Sequence, residues 1–365
     1  MKLLSAMAMQ PGGGGVHTYC VELLAGLDRL GVGGVAVRAR RDASQWVPAS
    51  MKHEAQPDVT GARRVMASVA AASGAPSLVH GLDAELPRVG RGAGAKTVVT
   101  VHDLSAFDFA HHGSAAKARA AVKRRTTASA VERADVVIAN SLQTAECVAE
   151  RFGVAARVIY LAPRRDVGKV SEEIAAAVRA RLGLPGLFAL HVGSSDGRKR
   201  HDVAAGACRA AKLPLVTVGP TVTAPSARES GDGVPGPAVI HLGFVSAQVL
   251  SALYSMADAV LYLSDLEGFG LPAVEAMACG AIVVGNSTGA LPELERKYPG
   301  ALELSGPATL KSADAEEIGA AITRVLLDSD GMKRQSKAAL AAAADMSWDK
   351  TAAATSAIYV ELEAS

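Results

Sequence analysis

Short apolar runs recur along this chain, each bounded by glycine, proline or polar residues: Met1 to Met9, Lys96 to Asp103, Ala134 to Asn140, Leu187 to Gly193, Pro214 to Gly219, Val239 to Gly243, Ala259 to Leu263 and Ala281 to Val284. They are continuous rather than alternating, which is the pattern of strands buried on both faces of a parallel sheet. Stretches with helical spacing lie among them, such as Tyr19 to Leu27 and the terminal set Ala354, Ala357, Ile358 and Leu362. Strands alternating with helices predict an α/β chain of doubly wound parallel sheets. A length of 365 residues accommodates two such domains, each with its own core. The first run is too short to span a membrane. A glycine loop and a helix follow it at once, so it reads as the first buried strand and not as a leader.

The most informative segment joins two of these runs: Glu267-Gly-Phe-Gly-Leu-Pro-Ala-Val-Glu275-Ala-Met-Ala-Cys-Gly280. A strand ending at Leu263 feeds a loop containing Gly268 and Gly270. Pro272 suits the start of a helix, where its missing N–H would be unpaired anyway. Gly280 suits the end, where a left-handed conformation favours glycine. Amide N–H groups at such a helix start attract anions and hydroxyl oxygens. Glu267 and Glu275 flank the turn as pure acceptors when ionised. Amides around Gly268, Phe269, Gly270 and Leu271 beside two carboxylates suit a ligand that has both hydroxyls and phosphate, such as a nucleotide sugar.

Three further segments carry chemistry. Pro11-Gly-Gly-Gly-Gly-Val16 lies at a strand-to-helix turn, where Gly14 and Gly15 let backbone approach a phosphate. The same glycines equally suit a turn needing only their conformation, and the order is not that of a dinucleotide fingerprint. His102 and Asp103 end a strand, where functional groups of open α/β sheets gather; a structural histidine fits there too. Arg198, Lys199 and Arg200 follow the strand ending at Gly193. They suit a phosphate clamp or a solvated loop. Ser141 is placed to cap a helix, and Pro220 to Pro237 reads as a surface loop.

Composition narrows the class. The chain is 49% hydrophobic and 20% charged, which marks a globular protein. Cys20, Cys147, Cys208 and Cys279 are scattered without CxxC spacing, which argues against zinc or a disulfide framework and for a reducing compartment. Residues 1–165 hold 21 Lys and Arg against 13 Asp and Glu, a net of +8, while the rest carries −6. Lys117, Arg119, Lys123, Arg124 and Arg125 contribute to that excess. They form either a solvated helix face or a patch for an anionic membrane or acceptor. Interleaved aromatics are missing, so a nucleic-acid platform is not expected.

The segment from Glu267 to Gly280 resembles the signature of the retaining GT-B glycosyltransferases of family four, whose two glutamates are separated by seven residues. Val239 to Ser246, Leu253-Tyr254, Ala257-Asp258 and Leu291-Pro-Glu-Leu294 are similar to the flanking parts of that family. Gly14-Gly15-Val16 resembles its N-terminal loop, which implies donor-diphosphate contacts. The phrase Thr100-Val-His102-Asp103 resembles the loop whose histidine meets the donor sugar, and Asp103 then touches the acceptor or orients His102. Leu190 to Arg200 resembles the family's basic phrase on the pyrophosphate, with Ser194 where many members have arginine and Arg200 where asparagine or glycine is usual. Phe244 and Val245 face the nucleobase by analogy, and Met346-Ser-Trp348 resembles the start of the terminal helix.

The resemblance implies two Rossmann-like domains facing a central cleft: residues 1–165 with the returning helix 348–365 on the acceptor side, and 166–347 on the donor side. It implies transfer of a sugar from a UDP-, GDP- or dTDP-sugar to a hydroxyl of a lipid-linked, polysaccharide or small-metabolite acceptor, with retained configuration. His102 and Glu267 serve the reaction, Glu275 takes the ribose, and Arg198 and Lys199 take the diphosphate. No metal-binding carboxylate pair is evident, and neither a metal nor another cofactor is expected. A cytoplasmic bacterial protein, with or without peripheral membrane contact, fits this picture. The competing readings are a non-catalytic nucleotide-sugar binder and a GT-B epimerase.

Overall fold

The computed structural model describes residues 1–10, 14–58, 75–88, 94–108, 114–194, 197–220 and 237–365. The expected loop over 220–237, residues 11–13 of the glycine loop, and Ser195 and Asp196 fall largely or wholly outside them. The chain forms two compact units, Met1–Leu161 with Ser347–Ser365, and Ala162–Met346. The sequence places the division at 165/166 and 347/348, so the segment containing Arg164 belongs to the second unit and not the first.

The strands run in chain order: β1 Lys2–Ser5, β2 Val35–Arg40, β3 Lys52–Gln56, β4 Leu78–Gly81, β5 Lys96–Val101, β6 Val136–Ala139 and β7 Ala156–Val158 in the first unit. The second unit has β8 Ala189–Val192, β9 Leu215–Val218, β10 Val239–His241, β11 Ala259–Tyr262, β12 Val283–Gly285 and β13 Glu303–Leu304. Every pairing among the described residues is parallel. The first sheet has the order β3-β2-β1-β4-β5-β6-β7, and the second β10-β9-β8-β11-β12-β13. In each, the order reverses once, between β1 and β4 and between β8 and β11. A crevice opens beyond the strand ends at such a reversal, and ligands of open α/β sheets bind there.

Burial explains the continuous apolar runs. Leu3, Val79, Val99 and Val137 stack in the core of the first sheet. Ala189, Leu215, Leu261 and Val284 do the same in the second, under helices His201–Ala210 and Asp314–Leu327. Small residues let those two helices meet closely: a Cβ on Gly319 would stand 2.6 Å from Ala210 Cβ. The terminal helix Trp348–Ala364 is capped by Ser347 and packs on helix Gly15–Arg29. Trp348, Ile358 and Tyr359 are buried there, and Thr351 donates to the Tyr160 carbonyl at 2.8 Å.

Candidate active site

The reversal between β8 and β11 collects the charged residues singled out in the sequence. The loop after β8 makes a single 3-10 turn over Gly197–Lys199 before helix His201–Ala210 begins. The loop after β11 carries Glu267 and enters helix Leu271–Ala278 through Gly270. Gly270 has φ of 101°, a conformation that side-chain-bearing residues rarely adopt. A Cβ there would also strike Leu291 Cδ1 at 2.9 Å. Ala273 and Val274 N–H both turn back to the Gly270 carbonyl. Leu271 opens the helix, so its N–H has no acceptor within it, and Pro272 has no N–H to leave unpaired.

Glu267 is the hub. Its Oε1 takes Arg198 Nη1 at 3.3 Å, Ser264 Oγ lies 3.0 Å away, and Lys199 Nζ forms an ion pair with it. Lys199 is buried to 7% exposure, and its ammonium stands 5.1 Å from the Tyr262 ring centroid. A buried ammonium is tolerable only beside a carboxylate. Arg198 and Lys199 are therefore no solvated loop: both converge on the expected catalytic carboxylate. The Tyr262 hydroxyl is buried next to this cluster. Burial, then the nearby Glu267 charge, push that phenol well above its usual range.

Backbone and histidine contacts hold this arrangement. The Asp265 N–H donates to the Arg198 carbonyl at 2.9 Å. His191 Nδ1 lies 2.8 Å from the Leu261 carbonyl, and its Nε2 2.8 Å from the Lys199 carbonyl. Burial pushes His191 down to about 3, so it is neutral and donates through one nitrogen. Asn286 accepts from the Ser264 N–H at 3.0 Å and donates to the Ser264 carbonyl at 2.8 Å. Ser264, Asn286 and His191 are positioning residues that sequence reasoning missed. Only their place at strand ends marks them. Arg200 adopts the left-handed region at φ 41°, which asparagine and glycine take at lower cost. A fork to Asp202 and a bond to Asp265 hold it.

Glu275 is buried in helix Leu271–Ala278. Tyr254 Oη donates to its Oε2 at 3.4 Å, and Arg164 Nε lies 3.2 Å from its Oε1. Burial pushes the carboxyl up to about 7, with Arg164 opposing that rise. Phe244 is two-thirds exposed at 67%, and Val245 is half-buried beside it.

In the first unit the reversal between β1 and β4 holds a buried set of neutral groups, with Asp83 and Glu85 after β4 paired to Lys123. Gly14 caps helix Gly15–Arg29 with open space around it, and Gly15 begins the helix. His102 is buried at the end of β5, and its Nε2 donates to the Leu82 carbonyl at 2.8 Å. Burial lowers its pKa first, with Asp83 opposing. The ring is therefore neutral at neutral pH, and Nδ1 is the acceptor nitrogen. Asp103 does not hold that ring; its Oδ1 accepts the Ser105 N–H at 2.9 Å. Behind His102 runs a buried relay: His80 Nδ1 to Tyr359 Oη at 2.6 Å, His80 Nε2 to Thr100 Oγ1 at 2.8 Å, and Thr100 to Tyr19 Oη at 2.9 Å. Tyr19 meets the His102 ring edge-on at 4.6 Å.

The basic cluster of helix Ser114–Arg133 is smaller than its sequence suggests. Lys123 pairs with Asp83 and Glu85, and Arg124 donates to the Ala106 carbonyl, leaving Lys117, Arg119 and Arg125 exposed. Among the described residues no helix is long and apolar enough to cross a membrane, and no group of histidine, cysteine and carboxylate side chains could hold a metal ion.

The chain resembles sucrose-phosphate synthase from Thermosynechococcus elongatus with a TM-score of 0.73 and 22% identity, covering 100% of this chain and 99% of that one. It resembles Anabaena Alr3699/HepE in complex with UDP-glucose with a TM-score of 0.71 and 19% identity, over 99% of both chains. Those likenesses show the GT-B fold. In sequence it is 33% identical to D-inositol 3-phosphate glycosyltransferase of Mycobacterium tuberculosis over 251 residues, which is 63% of this chain and 49% of that protein. It is 29% identical to the serotype-specific mannosyltransferase WbdA of Escherichia coli over 242 residues, 60% of this chain and 28% of that one. The chain thus matches less than half the length of these curated relatives. Residues 183–342 match the family described as Glycosyl transferases group 1 and residues 13–164 match Glycosyltransferase Family 4, so the chain belongs to the family 4 glycosyltransferases.

Proposed function

We propose that this protein transfers a sugar from a nucleoside-diphosphate sugar to a hydroxyl acceptor, with retained configuration and without a metal. One observation carries the reading: Lys199, Arg198 and Glu267 meet at the strand reversal of the Ala162–Met346 unit, beside the buried Glu275. Paired cations there take up charge on the departing diphosphate, which supplies the electrostatic stabilisation the reaction needs. Glu267 accepts the hydroxyls of the sugar and shares Lys199 with the phosphate oxygens. Glu275 accepts the ribose hydroxyls, and Phe244 and Val245 cover the base. Backbone at Gly14 and Gly15 adds donors for phosphate.

The Met1–Leu161 unit takes the acceptor, with Asp103 among its contacts. His102 offers a neutral ring nitrogen to a sugar hydroxyl. HepE was crystallised with UDP-glucose, and WbdA and the mycobacterial relative are named for mannosyl and inositol-phosphate glycosyl transfer. A uracil nucleotide is accordingly the leading donor type, with a glycan, lipid-linked or small polyol acceptor. Lys117, Arg119 and Arg125 provide for peripheral contact with an anionic membrane, testable by vesicle flotation at low and high salt.

Thermal stabilisation by UDP, GDP or dTDP and their sugar conjugates tests the donor site. We expect one nucleotide series to raise the midpoint, with a chelator changing nothing and Glu275→Ala abolishing the effect. No response from a folded sample to any of the three would falsify the reading.

A further inference from the structure

Glu275 is a carboxylate that the fold discourages from being charged. It is buried in helix Leu271–Ala278 at 6% exposure. The groups facing it are Tyr254 from helix Ala247–Met256, Arg164 and Asp166 from the segment that opens the unit, and Cys279 beyond its own helix end. Of these, Arg164 is the cation.

The segment carrying Arg164 is stapled in place. The Gly168 N–H donates to Ser251 Oγ at 3.3 Å, and the Val170 N–H to Ser255 Oγ at 3.2 Å, both on helix Ala247–Met256. Arg164 Nε stands between Glu275 Oε1 at 3.2 Å and the exposed Asp166 Oδ1 at 3.3 Å. That Nε is buried and lacks hydrogen-bond alignment with either oxygen. Its influence on Glu275 is therefore that of a charge. A bidentate fork would occupy the carboxylate's lone pairs; a charge contact leaves them open.

We propose that Arg164 is a positioning residue of the donor site: it keeps the buried Glu275 carboxylate ionised while leaving lone pairs on both oxygens, beside the one Tyr254 takes, to accept the two hydroxyls of a ribose. The proposal rests on the reading of Glu275 as the ribose acceptor, and it adds a consequence for specificity. A carboxylate that accepts two neighbouring hydroxyls favours a ribonucleotide over its 2′-deoxy counterpart, because one acceptor site is left unmatched. Burial pushes the Glu275 carboxyl up to about 7 even with Arg164 present, so losing the guanidinium raises it further. A protonated carboxyl cannot accept twice through the same oxygens.

The test is titration calorimetry of UDP, GDP and dTDP from about pH 6 to about pH 9, with wild type, Arg164→Gln, Arg164→Lys, Glu275→Gln and the double variant Arg164→Gln/Glu275→Gln. We expect UDP or GDP to bind, and its 2′-deoxy analogue to bind more weakly. Arg164→Gln weakens binding about tenfold near pH 7, the worth of one hydrogen bond to a charged group, and recovers toward wild type near pH 9. Arg164→Lys stays close to wild type at both. In the Glu275→Gln background, Arg164→Gln adds nothing.

An unchanged affinity in Arg164→Gln, a loss equal at every pH, or an additive loss in the double variant overturns the proposal. So does binding of dTDP alone. The underlying reading fails separately: if Glu275→Gln binds UDP and GDP as wild type does, or if wild type binds no nucleotide, Glu275 does not hold a ribose. If Glu275→Gln loses binding and Arg164→Gln does not, only the role of Arg164 falls. A cooperative melting transition in each variant establishes that it is folded, and the lysine variant keeps the charge where glutamine removes it.

Discussion

The two strand reversals of this molecule mix charged and neutral groups in different proportions. Between β8 and β11 the polar groups are charged and paired: Lys199 and Arg198 on Glu267, Arg164 by Glu275, Arg200 on Asp202. Between β1 and β4, and at the adjacent β5 end, neutral groups make the longest chain of contacts, His102 on a carbonyl and the relay Tyr359–His80–Thr100–Tyr19, while Asp83 and Glu85 after β4 pair with Lys123. The same topology thus gathers mainly ion pairs at one reversal and mainly neutral hydrogen bonds at the other. Buried charge is costly unless paired, and it binds anions only when a ligand can enter the pairing. Buried neutral networks instead fix geometry and transmit little charge. The contrast fits a unit that holds a diphosphate and a unit that positions hydroxyls.

The largest expected effect comes from removing the charge at the centre of the ionic site. Lys199→Met should weaken nucleoside-diphosphate binding by about a hundredfold, because a desolvated charge-assisted contact is lost while Glu267 stays behind. Calorimetry reads this directly. A loss under threefold would erase the distinction between the two reversals.

Acid should act on the neutral site next. Burial holds His80 down at about 3 against an ordinary value of 6.5. The unfolded chain binds the proton between those values and the folded chain does not, so stability is complete above about 6.5 and falls as the pH drops. The slope is about 1.4 kcal/mol per pH unit for this residue. Urea unfolding of wild type and His80→Gln across that window should give a shallower slope in the variant, and equal slopes would count against a neutral, buried His80.

Glu275 has the reverse sign. Its carboxyl is raised from 4.5 to about 7, so the fold holds the proton that the unfolded chain has released, and stability declines as the pH rises through that window. Glu275→Gln should be more stable than wild type near pH 8, by on the order of 2–3 kcal/mol, while losing nucleotide binding. A lower melting midpoint in that variant would show that the ion pair with Arg164 outweighs the burial. Smallest is Tyr359→Phe, which removes one hydrogen bond from His80. About 1 kcal/mol of stability should go, with nucleotide affinity unchanged. A change in affinity would mean that the neutral relay reaches the ionic site.

Much of the fold was legible because its signals are local. Apolar runs between turn residues marked β1, β5, β6, β8, β9, β10, β11 and β12 to within a few residues. Ser141 caps its helix by accepting the Thr144 N–H at 3.0 Å, and Gly280 ends its own at φ 73°. The misjudgements involve residues that meet only in space. Position along the chain puts Arg164 within residues 1–165, whereas its partner lies more than a hundred residues away, at Glu275. Lys123 was counted as surface charge, but Asp83 and Glu85 claim it. Asn286 and Ser264 carry no motif, and only the pairing of β11 with β12 brings them together.

The sequence by itself determined the α/β class, the two domains, the strand–loop–helix around Glu267 and Glu275, and the family resemblance. Those features are set by hydrophobic period, turn chemistry and residue spacing, all of which act within a few turns of chain. Tertiary structure alone decided strand order, and with it where each sheet reverses. It decided that Lys199 and Arg198 face Glu267, that His102 is neutral with one nitrogen committed, and that Arg164 governs Glu275. The reason is physical: pairing partners and desolvation depend on distance and burial, and neither exists until separate segments of the chain are packed against each other.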